Sequence, residues 1–296
     1  MNTKHDFSHI GMIIRDLREQ LNIGQKELCE GICTQSQISK IENGEAYPKA
    51  TTLYLLAMRL GVEVNQIFEM TANHRMDYSF EVISMIRELV RKKDYTSLLE
   101  MILVEEKNPN ITNHVNHKQF LIWHKGICMY YVKNDKEGAL KLLNDALKMT
   151  SAHDKFYNQR EISILNSIGV IHSESGDHER AVDIYNKALH FIKQNSFQDY
   201  SVKTKVRLYY NLAKAQTRLE HNDESIHIAK EGIKICLENE SLYLLGELYY
   251  HAGYNYYLIK DEENYSEYFN YALTIFKLTN KPNYIKHIEE LLIKTE

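Results

Sequence analysis

The sequence predicts an all-α protein: an N-terminal head of five short helices, followed by a solenoid of about five helix pairs. Three observations carry this. The 296-residue chain has only 3 Pro and 12 Gly to interrupt helices, while Leu, Ile, Glu, Lys and Tyr are plentiful, a balance that favours helix over sheet. Apolar residues recur at three- and four-residue spacing, the period of one helix face. In the second part of the chain small residues return at the interval of a helix-pair repeat, as at Ala146, Ala188, Gly232 and Ala272.

The head begins with a packing strut: Ile10, Ile13, Ile14, Leu17 and Leu21 share a face, with Arg15, Arg18 and Glu19 opposite. Gln25 to Gly44 then reads as a short helix, a tight turn and a second short helix, a DNA-reading device. Leu28 and Ile32 give the first of these a buried face; Ile38 and Ile41 do so for the second. Thr34 stands at the N-cap position, its hydroxyl placed to accept from a backbone N–H of the next turn. With Ile38 and Ile41 inward, Ser36, Lys40 and Asn43 point outward and Ser39 flanks them. That small polar face suits a major groove about 12 Å wide, and Gln35 projects from the end that reaches deepest. Gly44 ends the helix, Tyr47-Pro48 keeps the chain extended, and Lys49 follows as a candidate phosphate contact. Leu53, Leu56, Ala57 and Leu60 mark a fourth helix closed by Gly61, and Val64, Ile67 and Phe68 a short fifth. The expected organisation is a DNA-binding head over 1–70, a polar joint over 71–76 and the solenoid over 77–296.

Charge and composition bound the function. The head holds seven Lys or Arg against nine Asp or Glu, which counts against strong non-specific DNA binding. Two heads acting together compensate for this, with Lys26, Lys40, Lys49 and Arg59 on the DNA side, so a homodimer is expected. No apolar run approaches membrane-spanning length, and the polar N-terminus has no signal-peptide core, so the expected location is cytoplasmic, with no membrane partner. Cys29, Cys33, Cys128 and Cys236 are too few and too scattered for a disulfide framework. Cys29 and Cys33 share a helix face, as a thiol sensor would or as ordinary core residues do. There is no Gly-rich phosphate loop, nucleophile elbow or zinc-helix motif, and His114 and His117 lack acidic companions. A non-enzyme with no cofactor and no metal site is expected.

The solenoid repeats place small residues in each first helix (Gly126, Gly169, Ala213, Gly253) and in each second (Ala146, Ala188, Gly232, Ala272). The first set lets the partner helix of the same pair approach; the second accepts the next repeat. The clearest copy is Ile164 to Lys193, with a Ser-Gly-Asp turn at 175–177, then Ala181, Tyr185 and Ala188. In such a stack the first helices line a concave groove suited to an extended peptide, whose buried N–H and C=O groups need partners. Asn166 and Asn211 hold nearly the same place in successive first helices, and a carboxamide both donates and accepts.

The run from Gln25-Lys26-Glu27-Leu28 to Gln37-Ile38-Ser39-Lys40-Ile41-Glu42-Asn43-Gly44 resembles the five-helix DNA-binding domains of the phage repressor and Cro group. The resemblance implies that Gln25 caps the second helix and holds a phosphate. It also implies that Gln35, Ser36 and Lys40 lie at base edges, with Gln37 and Asn43 near the DNA backbone. The turn Gly31-Ile32-Cys33-Thr34, a residue shorter than that group's usual one, resembles the PlcR branch, whose members continue into tetratricopeptide repeats. Gly169, Ala181, Tyr185 and Ala188 fall at the small and aromatic positions of such a repeat. Nearly the whole chain is similar to the Rap, Rgg, NprR, PlcR and PrgX regulators of quorum sensing. That likeness implies a short signalling peptide gripped by Asn166 and Asn211, with Lys93 meeting an acidic group or the carboxy terminus. It nominates Glu247, His251 and Tyr284 near the other end, and implies a homodimer reading a near-palindromic site in double-stranded DNA. The alternative is a repeat scaffold that binds and regulates another protein, with DNA binding secondary.

Overall fold

The computed structural model describes residues 8–150, 156–195 and 198–293, and the backbone alone for 8, 69 and 71–77. It contains no strand among the described residues and divides into two compact units, Met1–Lys92 and Lys93–Glu296.

The first unit comprises α1 (Ser8–Gln20), α2 (Gln25–Cys29), α3 (Gln35–Glu42), α4 (Ala50–Leu60) and α5 (Val64–Lys92). Its core is built from Ile10, Ile13 and Ile14 of α1, Leu28 of α2, Ile38 and Ile41 of α3, and Leu53, Leu56, Ala57 and Leu60 of α4. These are the residues the helical period assigns inward. Leu21 is exposed, because α1 has already ended at Gln20, and Phe68 is exposed where Ile67 takes the inward position. Where α1 crosses α3, a Cβ on Gly11 would collide with the Ile41 carbonyl oxygen, so only glycine permits this approach. The short fifth helix of the sequence reading is instead a 29-residue one. It passes without a break through 71–76, where a joint was expected, because those residues include neither Gly nor Pro to stop it.

The second unit stacks α8 (Val115–Lys133) with α9 (Lys136–Lys148), α10 (Gln159–Glu174) with α11 (His178–Gln194), α12 (Val202–Arg218) with α13 (Asn222–Glu238), and α14 (Leu245–Leu258) with α15 (Glu262–Leu278). Ahead of them lie α6 (Tyr95–Glu105) and a single turn, α7 (Pro109–Thr112); α16 (Pro282–Ile293) packs on α15 as an unpaired last helix. The turns share one backbone device. A residue of positive φ (Lys93 57°, Asn134 52°, Gly176 84°, Glu220 61°, Lys260 61°) precedes the N-cap of the following helix. The caps Asp94, Asp135 and Asp261 accept from the backbone N–H of Ser97, Gly138 and Asn264, satisfying donors a helix start leaves open.

The small positions act as the packing argument requires. A Cβ on Gly169 would overlap the Tyr185 ring of the partner helix, and one on Gly253 would come within 2.8 Å of Phe269. A Cβ on Gly232 would press on Leu248 of the next pair at 3.0 Å. The first helices lie alongside one another, α8 with α10, α10 with α12 and α12 with α14, while the second helices make no comparable approach. A stack that is tighter on one side curls toward it, so α8, α10, α12 and α14 form the inner wall.

Candidate DNA-reading face and peptide groove

The reading helix α3 is set by its cap and by a buried ion pair. Thr34 accepts from the backbone N–H of Gln37, and the Gln37 side-chain oxygen accepts from the Thr34 N–H at 3.1 Å, a reciprocal capping box. Gln37 is therefore exposed but committed at its oxygen to the helix start. At the other end Glu42 is buried, with its carboxylate gripped by Arg18, Nε to Oε1 at 2.7 Å and Nη2 to Oε2 at 2.9 Å. Arg18 also donates to the Ile23 carbonyl, and the Gln25 side-chain nitrogen to Glu42 Oε2 at 2.9 Å. The carboxylate beside Arg18 raises the guanidinium pKa. This cluster ties α1, the loop before α2, α2 and α3 together.

Three expectations are corrected here. Arg18 does not face solvent opposite the core, since a buried carboxylate on α3 draws it in. Gln25 lies in the first turn of α2, but the N-cap is Gly24, which makes no side-chain cap; the Gln25 amide turns to Glu42 instead. Arg59, expected on the DNA side, donates to the carbonyls of Glu27, Leu28 and Glu30 and so closes the end of α2. Gln35, Ser36, Lys40 and Asn43 are exposed on one face of α3, Ser39 is half-buried beside them, and Lys49 stands exposed at the N-cap of α4. Lys26, Lys40 and Lys49 take no salt bridge among the described residues. The face thus offers amides, hydroxyls and unpaired cations, the groups that read base edges and phosphates.

On the solenoid's inner wall the carboxamides of Asn166 and Asn211 meet: Asn211 Nδ2 donates to Asn166 Oδ1 at 2.8 Å. The pair keeps one amide nitrogen on Asn166 and one oxygen on Asn211, a donor and an acceptor side by side. Trp123, the single tryptophan of the chain, donates to Ser167 Oγ at 2.9 Å, next in sequence to Asn166. Farther along, a cavity of about 690 Å³ opens among α12, α14 and α16, lined in part by Tyr210, Lys214, Arg218, Tyr250, His251 and Tyr254.

The other nominated residues fall in different settings. His251 lines the cavity but is buried, its Nε2 2.9 Å from Thr217 Oγ1 and 3.2 Å from Ser225 Oγ; burial pushes its pKa down to about 4. Glu247 is buried and paired with Lys281, so its carboxylate is already occupied. Tyr284 stacks on Phe276 at 4.6 Å and meets Tyr250 edge-on at 5.9 Å. Lys93 is exposed in the turn before α6, and its charge reaches Lys214. Asn166, Asn211, Lys93, Glu247 and Tyr284 lie outside the cavity's lining. Sequence reasoning did not single out Tyr210, Lys214 or Arg218. Their signal was the helical register: Lys214 and Arg218 follow Asn211 by one and two turns along the same helix. Cys29, Cys128 and Cys236 are buried free thiols, and burial pushes Cys128 up to about 12 and Cys236 up to about 11.

A five-helix head with an exposed polar recognition helix, followed by stacked helix pairs with an amide-bearing inner wall, defines the class: a helix-turn-helix protein with a tetratricopeptide-like solenoid. The helix-turn-helix family model matches residues 14–67, and that of the RNPP family C-terminal domain matches 83–292. The chain belongs to the RNPP family of peptide-responsive, non-enzymatic transcription regulators. Comparison with curated proteins gives no match. Among solved structures it is similar to Bacillus thuringiensis PlcR in complex with the peptide PapR7 and DNA, at 24% identity and a TM-score of 0.81, covering 96% of this chain and 99% of that one. It is also similar to the Streptococcus dysgalactiae SHP pheromone receptor Rgg2 (18% identity, TM-score 0.67, 97% and 100% covered). A third likeness is to ComR from S. thermophilus in complex with DNA and its signalling peptide ComS (13%, 0.59, 95% and 97%). No described helix is long and apolar enough to cross a membrane.

Proposed function

We propose that this protein is a cytoplasmic transcription regulator whose operator binding is controlled by a short signalling peptide held on the concave face of its repeat domain. The observation that carries the reading is the Asn166–Asn211 pair. Two carboxamides on adjacent inner helices present one donor and one acceptor, the complement of an extended peptide backbone. The likeness to PlcR and ComR, each known in complex with DNA and a peptide, supports it. The head, over 1–70, reads DNA through Gln35, Ser36 and Lys40 at base edges, with Ser39 flanking them and Gln37, Asn43 and Lys49 toward the phosphates. Two heads in a homodimer read a near-palindromic site. The peptide acts by population shift, so it binds the DNA-competent arrangement better than the other.

The test has two arms. Full-length protein selects duplexes from a random DNA pool; the wild type enriches a site with two related halves, and the Gln35→Ala/Lys40→Ala variant does not. Peptides selected on the full-length protein quench or shift Trp123 emission, and Asn166→Ala/Asn211→Ala weakens them by about tenfold or more, the loss of one or two net hydrogen bonds. Unchanged peptide affinity in that variant removes the groove assignment; an unchanged DNA site in the first removes the head assignment.

A further inference from the structure

Two concavities meet on α12. The larger, described above, opens toward α14 and α16; a smaller one of about 370 Å³ lies against the end of α10 and the start of α11. Lys214 and Arg218 line both, and being four residues apart they project from one side of the helix. Neither takes a salt bridge among the described residues. Lys214 lies over the Tyr210 ring at 5.4 Å, a cation–π contact that leaves its charge uncompensated.

Two carboxylates share these concavities without pairing with either cation. Glu174 lines the smaller one and attracts Lys214, and Glu220 lines the larger, but neither forms a salt bridge with Lys214 or Arg218 among the described residues. Lys93 adds a third cation within reach. His178 lines the smaller concavity, while His251 and His287 line the larger. Desolvation holds the Lys214 pKa down, with Arg218 and Lys93 pushing the same way. Unpaired cations gathered in a concavity focus a positive field there. Tyr250, Tyr254 and Leu258 supply an apolar wall beside it.

We propose that Lys214 and Arg218 hold a carboxylate of the bound peptide, so that this groove selects acidic peptides. The proposal rests on the reading of the inner wall as a peptide site. An Arg fork takes a carboxylate through two parallel N–H···O bonds, and the bound anion relieves the repulsion among Lys93, Lys214 and Arg218.

A pool of short random peptides is offered to immobilised full-length protein and the retained sequences are read. The wild type enriches peptides with Asp or Glu, or peptides that need a free carboxy terminus. Remaking a retained peptide with each Glu→Gln or Asp→Asn, and separately as the carboxamide, tells a side-chain carboxylate from the terminal one. The correct neutralisation weakens binding on the order of 10- to 100-fold. Lys214→Glu/Arg218→Glu, offered the same pool, retains basic peptides. The milder Lys214→Gln/Arg218→Gln keeps the wild-type helical signal and unfolding temperature while losing the acidic preference. The proposal is overturned by a wild-type selection with no acidic enrichment and no loss on amidation, or by a charge-reversed variant that still retains acidic peptides. If no peptide is retained by the wild type, this proposal and the groove reading fall together. If acidic peptides are retained equally by wild type and Asn166→Ala/Asn211→Ala, the amide assignment falls and the carboxylate site stands.

Discussion

Glu42 closes the reading helix from inside. Its burial costs solvation, and the fork of Arg18, with the Gln25 amide, repays it by satisfying both carboxylate oxygens. Glu42→Gln removes the charge and leaves Arg18 without its buried carboxylate, so the head should lose about 3 kcal/mol. The check is faster amide exchange in α3 of the full-length protein, with the solenoid amides unaffected. A helical wheel placed Arg18 on the solvent side because its partner is 24 residues away, on another helix, and periodicity carries no information about such pairs. The wheel did locate Ile38 and Ile41, and with them the outward set on α3, since burial of two residues fixes the rotation of so short a helix. His251 gives a pH dependence whose sign follows from its depressed value. Buried neutral, it binds a proton only near pH 4, whereas in the unfolded chain it does so near the ordinary 6.5. Its contribution is fully present above about pH 6.5 and is lost as pH falls toward 4, by up to about 3 kcal/mol. Unfolding temperature against pH should fall along that limb, and His251→Asn should flatten it.

Helix pairing depends on what the small positions leave room for. The Tyr185 ring lies where a Cβ of residue 169 would stand, so Gly169→Ala forces either the ring or α11 to move. That overpacking should cost about 1 to 3 kcal/mol, and Tyr185→Leu in the same chain should recover part of it. Thermal unfolding of the four members of the cycle measures the coupling, and strictly additive losses would show that the contact does not set the spacing. The repeat was legible because Gly169, Ala188 and their equivalents recur at nearly regular intervals. The turn device was legible only in part. Asn134 and Gly176 are residue types suited to positive φ, but Lys93, Glu220 and Lys260 adopt it as well, and nothing in their chemistry announces that. Helix α5 was misjudged for the opposite reason. A polar stretch reads as a joint, yet helices end at residues that stop them, and residues 71–76 contain none.

At the scale of the molecule, regulation requires that occupancy of the solenoid change the affinity of the head, and linkage makes the requirement testable. If the peptide changes operator affinity by some factor, the operator must change peptide affinity by the same factor. The continuous α5 bears on how this is transmitted: its 29 residues span about 44 Å and carry on through 71–76, where a joint was expected, to the last residue of the first unit. Two glycines inserted after Ala72 weaken a helix by about 2 kcal/mol at that point and add no contact elsewhere. Peptide affinity measured alone, and operator affinity measured without peptide, should therefore stay near the wild-type values, since neither the inner-wall amides nor α3 is altered. The factor by which peptide and operator affect each other should fall toward one. Peptide titrations of the wild type and the insertion variant, each with and without the selected duplex, give both factors directly. An insertion variant that keeps the full coupling would show that the signal does not depend on a stiff α5.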